Sequence, residues 1–245
     1  MHLQVPAHRC SCKKYKKEIA VLNLLESVRL WLRTPIVKWE GPQSAWFGYI
    51  GVPGLSIKSR ITQLTTPQKE QIGASLGRFL DQLHELKPTE MPHTTLQQEI
   101  AKYQDDYQRG LAYIEAAFTK TERAVLKRFY YKELPEEITK LGYVPKFCHG
   151  DLLLNNILID THDQIGVIDF GDARYYDQSK DFSNLWDDTI RNAALSAYSA
   201  DKNLVHKVNL RFRALPISGL SFYVNQQNNA GIERELRNIR NTLSI

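Results

Sequence analysis

Residues 16–26 carry Ile19, Leu22 and Glu26 on one helical face with Leu25 beside them, which predicts a first helix. After Thr34 and Pro35, two short apolar runs at 36–39 and 45–50 flank the polar stretch 40–43 and read as two strands. Gly51, Val52, Pro53 and Gly54 then punctuate the chain, and a lobe boundary is predicted near them. Beyond that point the periodicity turns helical. Thr66 reads as an N-cap with Pro67 at the first helical position, followed by a stripe of Ile72, Leu76, Phe79, Leu80 and Leu83. Leu96, Ile100, Tyr103, Tyr107, Leu111 and Ile114 repeat the pattern in a second long helix. Residues 120–133 predict a third, ended by Pro135, and the chain from about 180 onward reads as largely helical. Between these helical stretches lie two short apolar runs, 157–160 and 165–168, around Thr161, His162, Asp163 and Gln164, the pattern of an antiparallel hairpin.

Composition narrows the class without naming a function. A chain of 245 residues with 42% apolar and 24% charged residues is an ordinary globular protein. No apolar run is long enough to span a bilayer, and the lysine-rich first 20 residues show no secretory signal, so a cytoplasmic protein is expected. Cys10, Cys12 and Cys148 make neither a disulfide framework nor a zinc set, and read as free thiols. The net charge of +5 comes from the first 40 residues, because beyond them acidic and basic residues balance. Those lysines surround one helix with no aromatic stacking platform, so a solvated helix face is expected rather than a nucleic-acid surface.

The hairpin carries the candidate chemistry. His149, Gly150 and Asp151 precede it, Asn156 stands at its entrance, and Asp169, Phe170, Gly171 and Asp172 follow it. Pairing Asp160 with Ile165 would set Asn156 opposite Asp169, with Cβ atoms roughly 4.5–5.5 Å apart. An amide oxygen and a carboxylate at the open end of a hairpin suit a hard cation such as Mg²⁺ that keeps water and phosphate oxygens as its other ligands. Asp151, on the loop entering the hairpin, is positioned to be a base. Asp160 and Asp163 flank the turn, where aspartate is favoured for backbone hydrogen bonding.

The run from His149 through Asp151 and Asn156, followed by 168–172, resembles the paired signature of the aminoglycoside phosphotransferases and related kinase-like small-molecule kinases. Asp172, Asp177, Asp181, Phe182, Leu185, Asp187 and Asp188 are similar to the segment that follows the metal aspartate in the 2''-phosphorylating branch, and the helix ending at Leu83 and His84 resembles that family's leucine-histidine helix. The resemblance implies an α+β, protein-kinase-like two-lobed fold, with 1–50 a partial nucleotide-binding lobe and 51–245 a large, mainly helical lobe holding the catalytic hairpin. It implies that Asp151 is the catalytic base, that Asn156 and Asp169 hold Mg²⁺, and that ATP or GTP is the phosphoryl donor. Glu18, Trp46, Tyr49, Ile50 and Ile168 would border the nucleotide. An aminoglycoside is a polycation, so Asp187, Asp188, Glu233 and Glu235 are candidates for an acidic acceptor site, against the alternative of a solvated helix face. His149 is expected to hold the loop, Asp181 to brace it, and Asp172 to stand behind the metal ligands.

The sequence departs from the family pattern at its start. Kinase-like folds bring a lysine from the third strand to a helix glutamate and cover the phosphates with a loop between two strands. Glu18 stands where that glutamate belongs, but Ala7 occupies the lysine's position and the loop is expected to be missing, which makes Glu18 a candidate surface residue. Three functional readings follow: an aminoglycoside phosphotransferase, a kinase for another small hydroxylated metabolite, and a non-catalytic truncated remnant.

Overall fold

The computed structural model describes residues 2–4, 11–199 and 202–245, with side chains from Tyr15 on. In chain order the elements are β1 (His2–Gln4), α1 (Ser11–Ser27), β2 (Ile36–Glu40), β3 (Phe47–Ile50), β4 (Leu55–Ser56), α2 (Ile57–Arg60), α3 (Thr66–Glu85), α4 (Leu96–Arg109), α5 (Leu111–Ala117), α6 (Lys120–Arg128), α7 (Leu134–Leu141), β5 (Pro145–Cys148), β6 (Ile157–Ile159), β7 (Ile165–Val167), β8 (Arg174–Asp177), α8 (Ser179–Ser183), α9 (Asp188–Ser196), α10 (Leu204–Asn225) and α11 (Asn229–Leu243). Few short strands and many helices make this the expected α+β architecture. Among the described residues no helix is long and apolar enough to cross a membrane.

The chain forms two compact units, one of residues 1–93 and 145–201, the other of 94–144 and 202–245. The boundary expected near Gly51 falls inside the first unit. The reason is local: β4, directly after that punctuation, pairs with β6 of the hairpin and ties the following segment to it.

In the first unit β1, β3 and β2 form an antiparallel sheet in that order, and α1 lies against it, with Tyr15 edge-on to Phe47 at 5.3 Å. A second sheet runs β4-β6-β7, and β5 pairs with β8. Thr65, one residue before the expected Thr66, caps α3: its hydroxyl accepts from the Gln68 amide while the Gln68 side chain accepts from the Thr65 amide. The predicted stripe of α3 is buried. Helix α9 packs so closely on α3 that a Cβ on Gly73 would stand 2.3 Å from the Ile190 carbonyl, which explains a glycine in mid-helix.

The second unit is helical, with Tyr103, Ile114, Phe129, Tyr130, Leu210, Ile217 and Ile239 in its core. The predicted second helix is broken into α4 and α5 at Gly110. Pro135 does not end the third helix. A π turn at Phe129–Glu133 leads into α7, whose first turn holds Pro135, where no intrahelical donor is needed. Arg211 and Glu99 form a fully buried bidentate pair at 2.8 Å for both bonds, which crosslinks α10 and α4.

Candidate active site

The hairpin β6–β7 pairs Ile157 with Val167, Leu158 with Gly166 and Ile159 with Ile165. This is one residue out of the expected register, so Asn156 faces Ile168 rather than Asp169, and the Ile168 amide donates to the Asn156 carbonyl at 2.9 Å. The turn causes the slip. Asp160 accepts the amides of His162 and Gln164 on Oδ1, its own amide bonds the Gln164 carbonyl, and Asp163 takes a left-handed conformation at φ 57°. Those bonds close a loop of Thr161, His162 and Asp163 instead of the four residues expected.

Asp169 is returned to the site by its backbone. It sits at φ 65°, ψ 67°, a left-handed conformation that costs a non-glycine residue roughly 1–2 kcal/mol. The turn Phe170–Asp172 follows directly and is closed by the Ala173 amide on the Phe170 carbonyl. A strained residue of this kind persists only where its surroundings hold it, and such residues cluster at functional sites.

Asn156 is bound to Asp151. Its Nδ2 donates to the Asp151 carbonyl at 2.8 Å and to the Asp151 carboxylate at 3.2 Å. Both partners are acceptors, so the nitrogen must point at them and Oδ1 is turned the other way. Burial pushes the Asp151 carboxyl above its ordinary range; the charges of Asp172 and Asp169 add to the rise, while those of His149 and Lys180 oppose it.

The loop before the hairpin is braced from beneath. His149 spans the loop, with Nε2 against the Ile168 carbonyl at 3.0 Å and Nδ1 accepting the Asp151 amide at 3.3 Å. Gly150 is left-handed at φ 85°, and a Cβ there would meet the Asp172 carbonyl at 2.5 Å. Asp181, fully buried, accepts the His149 amide on Oδ2 and the Gly150 amide on Oδ1, each at 2.9 Å. Burial would raise its carboxyl, but the hydrogen bond from His84 and the neighbouring histidine charges outweigh this and hold it below the ordinary range. His84 reaches Asp181 through Nε2 at 3.1 Å and Tyr198 through Nδ1 at 2.9 Å. His84, Cys148 and Asp181 offer ligand atoms within 4.8 Å of one another. Their hydrogen bonds, including those from Cys148 to the carbonyls of Tyr176 and Asp177, make this cluster a brace for the loop before the hairpin.

The remaining predicted residues are distributed unevenly. Glu18 is buried on α1 at 5% exposure, not on the surface. Ala7 lies outside the described residues. Trp46 is partly exposed ahead of β3, Tyr49 and Ile50 sit on β3, and Ile168 directly follows β7 with its carbonyl taken by His149. Asp187 caps α9 through the Ile190 amide and pairs with Lys69 at 2.8 Å. Burial would raise its carboxyl, but the Lys69 bond and the cap keep it below the ordinary range. Asp188 is exposed and reaches Arg191. In the second unit, Glu233 is exposed on α11, whereas Glu235 is 6% exposed, accepting from Arg234 and from Asn238 at 2.9 Å. Its side chain is spent on an internal network, which periodicity alone does not reveal.

The family model of the phosphotransferase enzyme family matches residues 3–208. No curated protein matches the chain. Among solved structures, the GDP and kanamycin complex of APH(2'')-IIIa superposes with a TM-score of 0.80 at 19% identity, covering 99% of this chain and 86% of that one. The macrolide 2'-phosphotransferase MphH from Brachybacterium faecium gives 0.66 at 19% identity, over 97% and 83%. Choline kinase LicA from Streptococcus pneumoniae gives 0.63 at 15%, over 98% and 85%. At these identities the structures establish a shared fold. The family match, which spans most of the chain and includes the loop, hairpin and turn described above, shows that the chain belongs to the phosphotransferase enzyme family.

Proposed function

We propose that this chain is an aminoglycoside O-phosphotransferase-like kinase of the cytoplasm, moving the γ-phosphoryl group of ATP or GTP to a hydroxyl of a small polycationic acceptor. Residues 1–50 contribute to the nucleotide lobe in this reading, and 51–245 hold the catalytic hairpin and the acceptor side. The observation that carries it is the bond between Asn156 and Asp151, which fixes the base and turns an amide oxygen outward in one stroke.

The donor set fits Mg²⁺: Asn156 Oδ1 and the Asp169 carboxylate are hard oxygen donors, each at a turn flanking the hairpin. When bound there, the ion supplies charge neutralisation at phosphate oxygens. Asp151 does the proton chemistry. Its carboxylate takes the proton of the acceptor hydroxyl as that oxygen bonds to the γ-phosphorus, and the bond to the bridging oxygen breaks to release the nucleoside diphosphate. A carboxyl raised by burial is a better base for this than an ordinary one. Glu18, Trp46, Tyr49, Ile50 and Ile168 are proposed to border the nucleotide, and Asp188 is proposed to meet acceptor charge.

A second reading, a kinase for another small hydroxylated metabolite, is favoured by one observation. Three of the four acidic candidates are already paired, Asp187 with Lys69, Asp188 with Arg191 and Glu235 with Arg234, which weakens the acidic set offered to a polycation. Phosphotransfer measured with ATP and with GTP against kanamycin, gentamicin and choline separates the two. Transfer to an aminoglycoside that disappears in Asp151→Asn is expected. Transfer to choline alone would favour the second reading, and no Mg²⁺-dependent nucleotide binding would favour the remnant.

A further inference from the structure

We propose that Lys17 is a positioning residue for Asp169, clamping the 169–173 turn from helix α1; this rests on the metal role given to Asp169 above. Lys17 Nζ donates to the Ala173 carbonyl at 3.2 Å, across 156 positions of sequence. Its neighbour Lys16 is exposed, while Lys17 is half-buried beside the buried Glu18.

The strain at Asp169 makes this contact consequential. Its left-handed backbone must be held from both sides. On the hairpin side, the Ile168 amide bonds Asn156, the Ile168 carbonyl accepts from His149, and Gly150 admits the Asp172 carbonyl. On the other side, the turn ends at Ala173, which is fully buried, so its carbonyl needs a donor. Lys17 provides it and brings a positive charge to a turn bearing two carboxylates, Asp169 and Asp172. A neutral donor would satisfy the carbonyl without that charge. Helix α1, which carries Glu18 of the nucleotide side, is thereby tied to the end of the turn that follows the residue proposed to hold the metal.

The test uses the full chain with Lys17→Met and Lys17→Arg, reading nucleotide protection against heat across an Mg²⁺ titration, and the split of kcat from the nucleotide KM. Lys17→Met is expected to raise the Mg²⁺ concentration for half-maximal protection by about tenfold, the usual scale for losing an outer partner of a metal ligand. Lys17→Arg should restore it to within about threefold. A Tm lowered in Lys17→Met with the Mg²⁺ midpoint unchanged would show a merely structural contact and overturn the inference. Asp169→Ala serves as the control. If it abolishes Mg²⁺-dependent protection while Lys17→Met leaves the midpoint in place, only the Lys17 inference fails. If Asp169→Ala keeps full protection, the metal role falls and the inference with it.

Discussion

Asn156 donates its side-chain amide to both the backbone carbonyl and the carboxylate of Asp151, at 2.8 and 3.2 Å, so one residue orients the base and presents an oxygen to the other side. Asn156→Ala should therefore damage two functions together. Phosphotransfer is expected to fall by about 10²-fold or more, with weaker Mg²⁺ dependence, on the scale of losing an outer partner and a ligand at once. Asn156→Asp should retain Mg²⁺ affinity but lose the amide bond to Asp151, and so move the acid limb of the pH–rate profile upward. Steady-state rates from pH 5 to 9 check both outcomes.

Asp151 carries a partly buried charge whose removal should help the fold and end the chemistry. Burial raises its carboxyl on folding, so its contribution to stability is present at low pH and lost as pH rises through the raised value. Asp151→Asn is expected to have a higher Tm at neutral pH, with the gain vanishing in acid. The same variant should lose transfer by about 10²–10⁴-fold while still binding nucleotide. Calorimetry at pH 4 and pH 7.5 and a transfer assay decide it.

Asp181 behaves with the opposite sign. Its carboxyl is held below the ordinary range, so its stabilisation is present above the unfolded value and is lost as pH falls through the lowered one. The wild-type chain should lose stability below about pH 4, the region of an unperturbed aspartate. Asp181→Ala strands His84 and the amides of His149 and Gly150, and should cost about 3–5 kcal/mol, as for other broken buried pairs. Urea midpoints between pH 3 and pH 7 measure both effects, and a flat wild-type profile over that range would contradict the assignment.

Gly150 supplies a conformation and a space that no other residue can. Gly150→Ala should lose stability by more than the roughly 1–2 kcal/mol of the left-handed penalty, because its Cβ also meets the Asp172 carbonyl at 2.5 Å. The chain would shift Asp172 away and pull Asp169 with it, so transfer should fall further than stability alone explains. Comparing kcat at temperatures well below each Tm separates the two losses.

Where neighbours along the chain decide the outcome, the sequence was sufficient. The stripe from Ile72 to Leu83 predicted α3 because its contacts repeat every three or four residues, and the paired motifs around Asp151 and Asp169 pointed to phosphoryl transfer because each role needs one residue type at one spacing. The hairpin was legible as a hairpin. Its register was not, since the Asp160 side chain and left-handed Asp163 shortened the turn by one residue, and that shift moves every pairing. Pro135 reads as a stop along the sequence, although the same ring is equally at home in the first turn of α7. Tertiary structure alone decided that Glu18 is buried, that Glu235 is spent on Arg234 and Asn238, and that Lys17 meets Ala173. Burial and long-range partners depend on which surfaces come together on folding. Residue types and their spacing along the chain, by contrast, are present before it folds.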